Sequence, residues 1–167
     1  LSASSVRAFK DTDSDSLPAC WPQELKQRFE GLLSAVSHSL VRYTSVSALM
    51  DIYSAGGIAI SPRFLDNTYN LGHTEWKITL PMACGRLVLC SPQRSYETVA
   101  QRAGGRGIRI CRSDADWEAS LEQLLRGGID LKAEGLEAQA VVGRWYSTEV
   151  VADQHRAFME KVLCNNW

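Results

Sequence analysis

The sequence has no long hydrophobic run. Its longest apolar stretches, such as Leu87-Val88-Leu89-Cys90 and Gly57-Ile58-Ala59-Ile60, fall far short of the roughly 20 residues that a membrane helix needs. No transmembrane segment is expected, and no signal-peptide pattern opens the chain. Net charge is also scarce: a formal value of −1 supplies no global attraction to a polyanion, so nucleic acid is not an expected partner. The five cysteines (Cys20, Cys84, Cys90, Cys111, Cys164) are odd in number, widely spread and without CxxC or Cys/His spacing. That excludes a disulfide scaffold and points to reduced, buried thiols in a cytoplasmic protein. The three histidines, His38, His73 and His155, lie too far apart for a helical metal pair, so no metal is expected. GxSxG, P-loop and GxGxxG motifs are all missing, which removes the hydrolase elbow and the motif-borne phosphate loops.

What is present suffices for one core: 167 residues, 45% of them hydrophobic. The first 21 residues are rich in Ser and Asp and lack an apolar period, which predicts a mobile lead-in or linker. From Pro22 onward a single domain, residues 22–167, is expected. Leu25, Phe29, Leu32, Leu33 and Val36 recur at three- and four-residue intervals and predict a helix over 22–37. Short apolar runs then alternate with helical periods: strand 40–43, helix 46–54, strand 57–61, helix 74–84, strand 86–90, helix 96–103, strand 107–111 and helix 114–126. Thr74 is the expected N-cap of its helix, Gly85 its stop, and Pro81 the site of a kink or a lost backbone bond. Two helical stretches, 131–145 and 147–163, close the chain with no strand after them, a pair expected to leave the sheet and pack elsewhere.

The strands read as nearly continuous hydrophobic runs, the pattern of burial on both sheet faces. The predicted class is therefore α/β, a three-layer Rossmann-like sandwich with a short parallel sheet and a C-terminal helix pair. In such sheets ligands collect beyond the carboxyl ends of the strands, where helix N-termini favour anions. The loops to inspect are then 61–74, 91–95 and 111–114. In the first, Gly72, His73 and Thr74 open a helix that carries Lys77, a set suited to a phosphate or diphosphate. Arg63 could add a cation, and Asp66 and Asn67 could meet sugar hydroxyls. Ser91, Ser95, Arg94 and Tyr96 offer a second set of contacts to a nucleotide or sugar. Between positions 86 and 112 six arginines (Arg86, Arg94, Arg102, Arg106, Arg109, Arg112) face one acid, Glu97, so this stretch favours an anionic ligand. Cys84 and Cys90 sit where packing explains them better than nucleophilic chemistry.

The ordered set Ile58-Ala59-Ile60-Ser61-Pro62, Lys77 through Ser91 (KITLPMACGRLVLCS), Gly107-Ile108-Arg109-Ile110, Asp116-Trp117-Glu118 and Tyr146-Ser147 resembles the C-terminal, nucleotide-sugar-binding domain of GT-B-fold glycosyltransferases. The resemblance covers about residues 40–163. It implies group transfer from a nucleotide diphosphate sugar that serves as substrate, with no further cofactor. Lys77 would contact the diphosphate, the 72–74 loop would face the same group, and Ser91 would lie near the donor. Three residues after the lysine, where these transferases carry a ribose-binding Glu, stands Leu80, and Gly72 takes the place of its acidic partner. The ribose would then be held by another group such as Glu75, or nucleotide affinity has weakened or been lost. GT-B catalysis uses a cleft between two domains, and this chain has room for one. The resemblance thus implies a donor-binding half that works with a separate acceptor-binding domain or a second copy of itself. The alternative is a non-catalytic α/β binding or interaction module that keeps the fold without turnover.

Overall fold

The structure, a computed structural model, describes residues 6–10, 22–35, 37–42, 44–63, 72 and 74–164. The chain divides into two compact units, Leu1–Leu49 and Met50–Trp167. The first holds a strand Val6–Lys10 (β1), a helix Gln23–Ser34 (α1) and a strand His38–Arg42 (β2). β1 and β2 pair in parallel, from Val6 opposite His38 to Lys10 opposite Arg42. A strand thus lies inside the stretch read as a lead-in. The helix Val46–Ala55 (α2) runs across the division between the units.

The second unit is α/β. Three parallel strands, Ile58–Ser61 (β3), Leu87–Cys90 (β4) and Ile108–Ile110 (β5), pair in the order β3-β4-β5. Between them run the helices Trp76–Ala83 (α3) and Arg94–Ala103 (α4). Asp114–Leu125 (α5), Leu131–Trp145 (α6) and Thr148–Cys164 (α7) follow. All four residues of β4 are buried, as a central parallel strand requires. Its side chains alternate between two clusters: Val88 and Cys90 join Ile78, Met82, Tyr96 and Val99, while Leu87 and Leu89 join Cys111, Trp117 and Leu124. No helix among the described residues is long and apolar enough to cross a membrane.

Helix ends follow local chemistry. Ser113 and Asp116 form a reciprocal capping box at the start of α5, and Asp130 accepts the amides of Lys132 and Ala133, both at 3.0 Å, at the start of α6. α3 ends as expected at Gly85, whose φ of +71° lets the amides of Gly85 and Arg86 return to the carbonyls of Met82 and Pro81. The helix passes through Pro81 and stops two residues later. Its start corrects one expectation: Glu75, not Thr74, is the N-cap, and no side chain caps it. The Thr79 hydroxyl donates back to the Glu75 carbonyl at 3.2 Å, one turn earlier.

The C-terminal pair is also corrected in part. α6 does not leave the sheet: Ala138 and Val141 are buried in the cluster with Val88 and Tyr96. Two glycines allow this approach. Gly135 rests on the Gly85 backbone, and Gly107, with φ +73°, rests against the backbone of Ala138. The second helix, α7, has no buried residue and exposes Phe158, Met159 and Leu163.

Candidate functional site

The carboxyl ends of β3 and β4 are tied together by side chains as well as by the ladder. Beyond β3 the backbone amide of Arg63 donates to the hydroxyl of Ser91, just beyond β4, at 2.8 Å. Tyr96, fully buried in the first turn of α4, brings its hydroxyl 3.3 Å from the Ser61 hydroxyl and 3.5 Å from an Arg63 guanidinium nitrogen. Ser91 is 5% exposed and Arg63 half-buried, so a cation and three hydroxyls are held at this edge by the fold rather than by solvent. Gln93, also fully buried, adopts the extended backbone of an N-cap and starts α4 at Arg94. Arg94 is therefore the first residue of the helix, where the sequence reading leaves it in the loop before Tyr96.

Alongside lies a cleft of about 370 Å³ lined by Glu75, Arg94, Ser95, Thr98, Arg102 and Tyr146. Two guanidinium groups face one carboxylate there. Arg102 is fixed by aromatic faces: its guanidinium carbon stands 5.1 Å from the ring centres of both Trp145 and Tyr146. Burial raises the Tyr146 phenol above its ordinary pKa of 10.0, and contact with Arg102 works against that rise. The ring is thus a neutral donor and acceptor at physiological pH. Trp145, 37% exposed, acts as a platform for Arg102 more than as a core anchor.

No protein-family model, curated protein or solved structure matches this chain.

The expected site residues fall into three groups. Arg63 and Ser91 meet directly, and Glu75 lines the neighbouring cleft. Lys77 sits exposed on the first turn of α3, with Gly72 and Thr74 exposed before it. His73, Asp66 and Asn67 lie outside the described residues. Thr98, Arg102 and Tyr146 complete the cleft without having been singled out as ligand contacts. Arg102 did carry a signal, through the arginine excess over 86–112. Among the described residues no group of three or more His, Cys, Asp or Glu side chains is placed to hold a metal ion. Guanidinium cations and hydroxyls are groups suited to pairing with an anionic, hydroxylated ligand.

Proposed function

We propose that this chain is the donor-binding half of a GT-B-type glycosyltransferase and binds a nucleotide diphosphate sugar at the carboxyl edge of β3 and β4. The observation that carries the reading is the Arg63–Ser91–Tyr96 junction, a cation and hydroxyls fixed where an open parallel sheet receives its ligands. Within the second unit, the alternation of β3, β4 and β5 with helices, and the two clusters on either side of β4, support a three-layer, Rossmann-like arrangement. In this reading the diphosphate meets Arg63, Lys77 and the loop at 72–74, while Arg94 and Arg102 raise the local anion concentration. Neutralising the diphosphate stabilises it as a leaving group when the glycosidic bond breaks. Turnover then needs an acceptor-binding domain, separate or supplied by a second copy.

One feature favours a second reading. Leu80, half-buried on α3, stands where the resemblance calls for a ribose-binding carboxylate. A non-catalytic interaction module that has lost nucleotide affinity would tolerate it. Titration with UDP and GDP, followed by tryptophan fluorescence and thermal stability, separates the two. Saturable shifts weakened in Lys77→Ala and Arg63→Ala support the donor site. No shift up to millimolar nucleotide overturns it and leaves the interaction module.

A further inference from the structure

The opposite, amino edge of the same sheet carries a cleft of its own, about 410 Å³ in volume. It opens where Gly57 leads into β3 and Gly85-Arg86 leads into β4, against the first turns of α6. Its chemistry is one-sided. The charged residues of the lining are two cations, Arg86 and Lys132, and none is an acid. The acids that flank the lining on α6 are engaged elsewhere: Asp130 by the amides of Lys132 and Ala133, Glu134 by the amide of Gly107 and Glu137 by Arg106.

Arg86 is only partly satisfied. One terminal nitrogen donates to the Ser54 carbonyl at 2.6 Å, but its Nε is buried with no hydrogen-bond partner. Around it the lining carries apolar surface: Leu131 and Leu136 stay 39% and 59% exposed. The volume falls in the range of small-molecule sites. We infer that this cleft binds a small amphipathic carboxylate, with its head on Arg86 and Lys132 and its aliphatic body on Leu131 and Leu136. The carboxylate is matched by the two cations of the lining, and the tail removes two leucines from water. This inference does not depend on the donor reading, because the cleft lies at the other ends of the strands.

The test uses the full chain, isotopically labelled, with octanoate as probe and acetate and octanol as its separated head and tail. Octanoate should produce saturable shifts in the amide resonances of Gly57, Gly85 and Gly135. Acetate and octanol should each need at least about tenfold higher concentration, a ratio that corresponds to one decade in affinity. Lys132→Glu and Leu136→Asp change exposed side chains and leave the fold intact. Each should weaken octanoate by about tenfold or more, the first by reversing a charge and the second by placing an acid on the apolar wall. The inference is overturned if octanoate gives no saturable shift up to millimolar concentration, if either fragment binds as tightly, or if both variants bind like wild type.

Discussion

The carboxylate of Glu134, on α6, accepts the backbone N–H of Gly107, at the entrance to β5, at 2.5 Å. One turn further along the helix, the Ala138 backbone presses on the same glycine. A charged acceptor thus holds a left-handed turn against a helix, and the start of β5 is set by a residue far away in sequence. Glu134→Ala should cost about 1–3 kcal/mol by stranding that amide. Chemical denaturation would measure the loss, with Glu134→Gln recovering part of it.

Two glycines of α6 should respond with opposite signs. A methyl at Gly135 would meet the Gly85 backbone, which cannot move without disturbing the end of α3, so Gly135→Ala should destabilise by about 3 kcal/mol or more. At Gly143 nothing lies within 4 Å of an added methyl, and Gly143→Ala should stabilise by about 0.5–1 kcal/mol through helix propensity alone. Thermal unfolding of the pair checks both; a loss at both positions would contradict the packing described.

Tyr96→Phe keeps the buried ring and removes only the hydroxyl shared with Ser61 and Arg63. Stability should fall by about 1 kcal/mol. If the donor site is correct, UDP affinity should fall as well, because the Arg63 guanidinium loses a support. Ser91→Ala, which removes the acceptor of the Arg63 amide, should do the same. Calorimetric titration separates the loss of binding from the loss of folding.

Burial pushes the Cys90 thiol from its ordinary 9.0 up to about 12, with Cys111 adding to the effect. The fold prefers the protonated form. Its contribution to stability is therefore whole below pH 9 and drains away as pH climbs from there toward 12. Denaturation midpoints should decline across that alkaline window, and Cys90→Ala should flatten the decline. In a Cys20→Ser background, exposed Cys164 should react first with a thiol reagent at pH 8, and Cys90 only on unfolding.

Much of the second unit was legible residue by residue. Ser113 and Asp116 mark the start of α5, Gly85 the stop of α3, and the unbroken run Leu87–Cys90 a strand buried on both faces. β1 was not legible. Val6–Lys10 mixes three apolar residues with Arg7 and Lys10, and its strand character comes from pairing with His38–Arg42, a partner no local pattern announces. The early start of α4 is hidden for a similar reason: Gln93 is a weak capping residue, so the sequence pattern opens at Tyr96. At the site, Arg63 and Ser91 could be proposed separately from their loops, but not their direct hydrogen bond. The cleft joining Glu75, Arg102 and Tyr146 depends on α6 folding back over α3 and α4, a tertiary event.

That helix has one more consequence. Both clefts draw on it, one along its N-terminal half from Leu131 to Gln139 and the other at Tyr146, just past its C-terminal end. Fifteen helical residues at 1.5 Å each make a rod of about 22 Å. The glycine contacts at Gly85 and Gly107 leave it no slack to slide along its axis. α6 therefore works as a spacer between the two openings.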